Sequence, residues 1–379
     1  MNKKLPLSYL EISKGNLLHN IKQFRSFIKK DTKLAAVIKA NAYGHGDKEI
    51  IKIIAPYVDY FQINSVEELA RARTVIAKPI LLLGYVSKTD MATCIKLGCI
   101  ITAFDFQHLM IINESARKLG KKQKVHIAVD AHLGREGILI DQVSEFLTEA
   151  KKMNNIVIDG VYAHFANIED TNDFSHAKKQ IETYKNILKI FSEYGYDKIH
   201  THISATSGIF EYEKEHGYNS IVRLGIGMYG MWPSVDIQKK WKNKINLKPI
   251  LRWVTHIAQI KDLPKDHSIG YGLTYITKKP MTVAVIPQGY SNGFPRLLSN
   301  KGEVLICGKR APVLGRVAMN MMVVDVSDIK EALPESEVVI LGSQKNDQIT
   351  AEELAFKIAT INYEVTTCIS ALLPKVIVK

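Results

Sequence analysis

Lys33-Leu34-Ala35-Ala36-Val37-Ile38-Lys39-Ala40-Asn41-Ala42-Tyr43-Gly44-His45-Gly46-Asp47 sets an apolar strand, a lysine and a Gly/Asn-rich turn directly in series. Leu34 to Ile38 is a short run of small and β-branched residues, the pattern of a strand buried on both faces. A helix follows the turn, with Asp47 as its cap and Glu49, Ile50, Ile51, Ile53 and Ile54 in its first turns. Strand, turn and helix in immediate succession make one βα unit. A lysine at the C-terminal mouth of such a strand sits where barrel folds keep their chemistry. Apolar neighbours there lower an amine's pKa and free its lone pair for Schiff-base formation. Taken alone, an Ile-Lys pair also describes an ordinary surface lysine closing a strand.

The same unit repeats outward from this stretch. Apolar strand-like runs recur at 34–39, 60–64, 79–85, 99–104, 125–130, 157–164, 199–204 and 221–225. Segments of helical spacing separate most of them, such as Val66 to Arg73, Phe106 to Leu119 and Val143 to Met153. Eight strands alternating with helices predict an α/β fold, a TIM-like (β/α)8 barrel. Before it, residues 5–12 alternate like an edge strand and residues 14–30 carry a helical stripe. After about Gly230 the pattern changes. Trp232-Pro233-Ser234 reads as a linker, and beyond Lys248 short alternating runs at 250–260, 281–286, 303–307, 312–314, 321–326 and 337–341 predict a mostly-β module. Thr350 to Ile361 reads as a helix with Thr350 and Glu353 as a capping box, and Val376 to Val378 as a closing strand. The expected division is a barrel domain over 1–239 and a C-terminal β domain over 240–379, with the residues up to Leu10 free to pack with the β domain.

Composition narrows the class. The chain has 379 residues, 46% of them hydrophobic, enough for two cores. Its net charge of +13 raises nucleic-acid binding, but the basic residues are scattered among acids in short clusters and form no continuous stripe. Cys94, Cys99, Cys307 and Cys368 have neither metal-ligand spacing nor the density of a disulfide scaffold, so no metal is expected. Without a long apolar leader or a run of membrane-spanning length, the expectation is a soluble cytoplasmic protein with no membrane or nucleic-acid partner.

Val37-Ile38-Lys39-Ala40-Asn41-Ala42-Tyr43-Gly44-His45-Gly46 resembles the pyridoxal-phosphate attachment motif of the alanine racemases. Further segments resemble the same family in the same order up to Asn362-Tyr363-Glu364, so the resemblance spans nearly the whole chain. It implies a pyridoxal 5'-phosphate-dependent isomerase that interconverts L- and D-alanine, supplying D-alanine for peptidoglycan, with Lys39 as the attachment site. Pyridoxal phosphate needs a Schiff-base lysine, a phosphate cradle, a partner for the pyridine nitrogen and groups that fix the ring plane. Ser204-Ala205-Thr206-Ser207-Gly208 and Leu224-Gly225-Ile226-Gly227, in the last two barrel loops, offer hydroxyls and approachable N–H groups for the cradle, through Thr206, Gly225 and Ile226. Tyr43 adds a phenol to the same phosphate. Arg223 resembles the arginine that faces the pyridine nitrogen. A permanent guanidinium donates a hydrogen bond without giving up a proton, which leaves the ring a weaker electron sink. His164, after the sixth strand, would support the ring and the arginine, whereas His202 reads as structural.

Two bases on opposite faces of the cofactor plane make racemisation simplest. The resemblance implies Lys39 for one face and Tyr271, in Ser268-Ile269-Gly270-Tyr271-Gly272-Leu273-Thr274-Tyr275, for the other. Arg135 would orient the substrate carboxylate and the catalytic phenol, Tyr290 would stand in the substrate entryway and the Met319 N–H would bind the carboxylate. Tyr363 would narrow the pocket towards a methyl side chain. In the resembled fold the β module of one subunit reaches the barrel mouth of the other, which implies a homodimer with composite sites. The chain also departs from the pattern. Many members carry a lysine, often carbamylated, at the position of Ala128, and Ala131-His132-Leu133, Ala318 and Asn320 replace the usual residues. The anchor for Arg135 is then an anion, another side chain, or nothing.

The alternatives are a racemase of broader range or one for serine or basic amino acids, a barrel-type decarboxylase and a non-catalytic pyridoxal-phosphate carrier. The resembled decarboxylases place a carboxylate at the ring nitrogen, against Arg223, and the carriers lack a second domain, against residues 240–379.

Overall fold

The computed structural model describes residues 5–213 and 219–379, and the chain divides into two compact units. One comprises Leu18–Ala40 and Ile50–Lys248, the other Met1–Leu17, Asn41–Glu49 and Pro249–Lys379. Strand β1 (Tyr9–Ser13) belongs to the second unit.

The first unit is a parallel barrel. Its eight strands are β2 (Lys33–Val37), β3 (Tyr60–Ile63), β4 (Ile80–Leu82), β5 (Ile100–Ala103), β6 (Gln123–Ala128), β7 (Ile156–Tyr162), β8 (His200–His202) and β9 (Ile221–Leu224). They pair in sequence from β2 to β8, and β9 returns to lie parallel to β2, with Lys33 opposite Ile221 and Ala36 opposite Leu224. The last seam is joined by Ser220 N–H to Thr201 O at 3.0 Å and Arg223 N–H to Ser204 O at 3.0 Å. Leu34, Ala35, Ala36 and Val37 are all buried, because a barrel strand has side chains packed inside and helices packed outside. The helices start where the sequence supplies acceptors for their first N–H groups. Ser65 Oγ accepts from Glu68 N–H at 3.3 Å and Asp105 Oδ1 from His108 N–H at 2.7 Å.

Trp232-Pro233-Ser234 differs from the linker its composition suggests. Trp232 is buried against Phe210, ring centroids 6.1 Å apart, in an aromatic cluster that also holds Phe24, Phe27 and Trp241. Ser234 caps the helix Val235–Trp241 by accepting from Ile237 N–H at 3.2 Å. An indole with apolar rings to cover is worth more inside the core than in a solvated connection. The chain leaves this unit at Lys248.

The second unit is built from β1, β10 (Leu251–His256), β11 (Gln259–Leu263), β12 (Ser268–Ile269), β13 (Tyr275–Ile276), β14 (Met281–Ile286), β15 (Glu303–Ile306), β16 (Lys309–Leu314), β17 (Met322–Asp325), β18 (Glu337–Gln344), β19 (Asp347–Ile349) and β20 (Lys375–Val378). Its large sheet runs β11-β14-β17-β16-β15-β18-β10-β1-β20, with β19 beside β18 and a separate β12–β13 pair. β1 is therefore an internal strand, not the edge strand its alternation suggests. It is antiparallel to β10 and parallel to β20, so both of its backbone edges are satisfied. The helix after Thr350 runs Ala351–Lys357 and stops short of Ile361 because Ala359 turns left-handed, φ 56°. Thr350 Oγ1 caps it, accepting from Glu353 N–H at 3.1 Å. The reciprocal half of the box is diverted: the Glu353 carboxylate takes Arg310 at 2.6 Å and Lys357 at 3.0 Å, since two cations outcompete one backbone N–H. No described helix is long and apolar enough to cross a membrane.

Candidate active site

β2 ends at Val37, and Lys39 opens a short helical turn, Lys39–Tyr43. Ala40, Asn41, Ala42 and Tyr43 have φ of 52, 54, 53 and 54°, so the turn is left-handed. Left-handed helical backbone costs about 1–2 kcal/mol for each L-residue, and it persists only where its polar groups are held. In the first unit, Ala40 N–H donates to Glu68 Oε1 at 2.6 Å, and Asn64 N–H donates to the other oxygen of the same carboxylate at 2.7 Å. In the second unit, Gly46 N–H donates to Asn41 O at 3.0 Å and Asp47 N–H to Asn41 Oδ1 at 3.1 Å. The buried His45 ring puts Nδ1 at 3.0 Å from Ala42 O and 2.9 Å from Tyr43 O, so the Nδ1–H tautomer closes the turn. Gly44, at φ 86°, passes so close to residues 366–367 that a Cβ would lie 1.9 Å from Thr366 O. Neither Glu68 nor His45 was marked by the sequence as a supporting residue; the Ser65–Glu68 spacing at a helix start was the available signal.

Lys39 is half-buried. Burial lowers its amine pKa, the Arg135 and Arg223 charges lower it further, and Glu68 and Glu136 oppose them. Arg223 is the penultimate residue of β9, buried, and carries no carboxylate partner among the described residues. Its Nη2 donates to Ala163 O at 2.8 Å and Ile203 O at 2.9 Å and lies 3.2 Å from His164 Nδ1. The guanidinium stands 5.3 Å from the centre of the Tyr162 ring. Burial pulls its pKa to about 10. His164 lies two residues beyond the end of β7, and burial followed by the charges of Arg223, Arg135 and Lys39 keeps its imidazole neutral, with a pKa well below the usual range. Carbonyl oxygens, not an anion, hold the arginine, so its positive charge is not cancelled.

Thr206 is buried in the loop after β8, and its Oγ1 accepts from Gly225 N–H at 3.2 Å and Gly227 N–H at 3.4 Å. The hydroxyl hydrogen has no acceptor among the described residues. At Gly227 a Cβ would lie 2.3 Å from Phe24 Cζ and 2.8 Å from Thr206 Cγ2. A buried hydroxyl with a proton to give, oriented by the two glycine N–H groups it accepts from, fits an acceptor-rich anion such as a phosphate. Thr206, Gly225 and Ile226 are the residues that could hold it, with Lys39, His164 and Arg223 at the C-terminal ends of the same parallel strands.

Arg135 lies in the loop after β6. Asp130 shapes this loop, accepting from Leu133 N–H at 2.7 Å and from Gly134 N–H at 3.0 Å. Arg135 Nε pairs with Glu136 Oε2, and Nη2 donates to Glu136 Oε1 at 2.8 Å. Ala128, the last residue of β6, contributes a buried methyl and no charge. Glu136 was missed in the sequence, where it is simply the residue after the arginine.

In the second unit, the rings of Tyr43 and Tyr363 are 6.0 Å apart. Tyr290 and Met319 share one corner, tied by Tyr290 N–H to Ala318 O at 3.1 Å and Ser291 N–H to Met319 O at 3.0 Å. Asn320 steadies it, its amide donating to Ser291 Oγ at 2.7 Å. Tyr271 follows β12 between two left-handed glycines, Gly270 (φ 75°) and Gly272 (φ 71°), which turn the backbone outward. Tyr271 is 72% exposed, Met319 55% and Tyr290 42% in the single chain.

The alanine racemase N-terminal domain model matches residues 12–233, and the alanine racemase C-terminal domain model matches residues 250–377. The chain belongs to the alanine racemase family. It is 35% identical to alanine racemase 2 of Caldanaerobacter subterraneus subsp. tengcongensis over 370 residues, 97% of this chain and 94% of that one. Its fold superposes on an alanine racemase of Clostridium difficile 630 with a TM-score of 0.92 at 31% identity, covering 99% of this chain and 97% of the other. An alanine racemase of Bacillus anthracis with bound L-Ala-P gives a TM-score of 0.92 at 29% identity, with 100% and 96% covered. The family is pyridoxal-phosphate-dependent, and the barrel followed by a mostly-β domain is its architecture.

Proposed function

We propose that this chain racemises alanine with pyridoxal 5'-phosphate held at Lys39, acting in the cytoplasm as a source of D-alanine for peptidoglycan. The observation that carries the reading is the Lys39 amine, half-buried and facing the charges of two guanidinium groups that disfavour its protonated form. An amine so placed is a nucleophile and, once released, a base. The bound cofactor supplies an electron sink that makes the α-proton of alanine acidic.

The chain's own residues do the rest. Thr206, Gly225 and Ile226 would hold the phosphate, and the resemblance adds Tyr43. Arg223, paired with no carboxylate among the described residues, would donate to the pyridine nitrogen without surrendering its proton. His164, kept neutral, supports the ring and the arginine. Lys39 moves a proton on one face of the α-carbon and Tyr271 on the other. Arg135 and the Met319 N–H orient the carboxylate, Tyr290 lines the entry, and Tyr363 limits the side-chain space. The exposure of Tyr271, Leu273, Met319 and Met321 supports a homodimer in which these residues serve the partner's Lys39, because an apolar surface of this kind is spent on a partner.

A chiral assay of the purified protein with pyridoxal phosphate in deuterated water tests the reading, using L-alanine beside L-serine, L-lysine and L-arginine. Fast racemisation of alanine alone is the expected result. Exchange on the larger substrates would replace it with a broader racemase, and no exchange on any would overturn it. Lys39→Ala should lose the near-visible absorbance of protein-bound cofactor and the borohydride-fixed mass on the peptide around residue 39; persistence of either refutes the attachment site.

A further inference from the structure

The Arg135 guanidinium has two edges that can grip a carboxylate with paired hydrogen bonds, and Glu136 occupies one of them. The contacts run from Nε and from Nη2, which is the side-on fork, and they meet both carboxylate oxygens. The end-on fork, made by Nη1 and the outer hydrogen of Nη2, has no partner among the described residues. A bidentate pair of this kind fixes the plane of the guanidinium, which an arginine on an exposed loop otherwise explores through several rotatable bonds. Arg135 needs such a holder. It is exposed, its loop turns at His132 (φ 65°), Gly134 (φ 72°) and Gly137 (φ 116°), and the methyl of Ala128 offers it nothing. Glu136 is less exposed than the arginine it grips, 27% against 58% for the side chains.

We propose that Glu136 is a positioning residue that clamps the side-on edge of Arg135 and thereby presents its end-on fork to the substrate carboxylate. The inference rests on the reading of Arg135 as the carboxylate-binding residue. Glu136 is an anion beside an anion-binding site, so a charge that merely sat nearby would repel the ligand, and its removal would tighten binding. A charge that positions the fork does the reverse.

Propionate, a carboxylate without the amino group, separates the two by isothermal calorimetry on the cofactor-loaded protein, with KM and kcat for alanine measured alongside. Glu136→Gln keeps the length and one hydrogen-bonding oxygen but loses the charge. It should weaken propionate and raise the KM for alanine about tenfold, the weight of one modest interaction, with a smaller effect on kcat. Glu136→Asp should recover most of the loss. Unchanged or tighter propionate binding in Glu136→Gln, with the melting temperature preserved, overturns the proposal. Arg135→Lys tests the layer beneath: if propionate binds it as well as the wild type, Arg135 is not the carboxylate site and the role given to Glu136 falls with it. If Arg135→Lys weakens binding while Glu136→Gln does not, only the clamp is refuted.

Discussion

His45 closes the left-handed turn as a neutral donor, and acid should undo that contribution. Complete burial pulls its imidazole from an ordinary pKa of 6.5 down to about 4, against the opposing pull of the Tyr43 and Ala42 carbonyls. Between those two values the unfolded chain binds a proton there and the folded chain does not. Stability therefore rises with pH across this window and is lost as pH falls from 6.5 towards 4. Each pH unit is worth about 1.4 kcal/mol, so His45 alone removes about 3 kcal/mol by pH 4. His45→Asn keeps an amide near the position of Nδ1, able to donate to the same carbonyls, but does not titrate. At pH 7.5 this variant should be about 1–2 kcal/mol less stable, for the lost ring volume and the poorer bond. As the pH falls the wild type gives up its advantage, and the two stabilities should cross near pH 5, where the His45 loss reaches about 2 kcal/mol. Urea unfolding followed by tryptophan fluorescence at pH 7.5, 6.5, 5.5 and 4.5 measures the difference. The other histidines whose pKa burial lowers, His108, His126, His164, His200 and His202, are common to both proteins and cancel. Parallel stability curves would refute the reasoning, because they would mean that His45 titrates alike in the folded and unfolded chains.

Two further outcomes follow from the geometry. Gly44→Ala combines a left-handed φ with a Cβ 1.9 Å from a backbone oxygen, whereas Gly98→Ala meets nothing within 4 Å at φ 71°. The second should cost about 1 kcal/mol and the first several times more, so equal shifts in melting temperature would refute the packing around residue 44. Tyr271→Phe should keep the cofactor bound while α-proton exchange in deuterated water falls about a hundredfold or more from L-alanine and much less from D-alanine. Equal losses from the two enantiomers would remove Tyr271 as the second base.

The barrel was legible because its strands are buried on both faces and appear in the sequence as unbroken apolar runs between helical segments. The same runs put Lys39 and Arg223 at strand ends, but a lysine closing a strand is ordinary by itself, and the roles proposed for the two came from the motifs around them. What the sequence concealed was set by pairing over long distances or by single side chains. The alternation of residues 5–12 looks like an edge, and only the return of the chain at Lys375–Val378 makes β1 internal. Trp232-Pro233-Ser234 has the punctuation of a linker, but nothing local announces the aromatic rings that bury Trp232. Glu136 meets Arg135 through hydrogen bonds that no period or motif announces, and the Ser65–Glu68 spacing marks a helix start without showing that the Glu68 carboxylate reaches Ala40 and Asn64. The handedness of the turn after Lys39 was hidden because Ala40, Ala42 and Tyr43 are not residues that advertise a positive φ.

That handedness also decides which substitutions the stretch will accept. At Ala40 and Ala42 the pressure against change comes from backbone torsion and not from reactivity: a valine, isoleucine or threonine would add a branch where the left-handed backbone has no room for it, while glycine would relax the turn. A saturation library over residues 40–43, sorted for folded protein before any assay of turnover, should therefore enrich glycine and asparagine and empty of β-branched residues. Much of what makes the stretch around Lys39 recognisable in a sequence is then a record of its shape, written at Ala40 and Ala42 in residues with no reactive group.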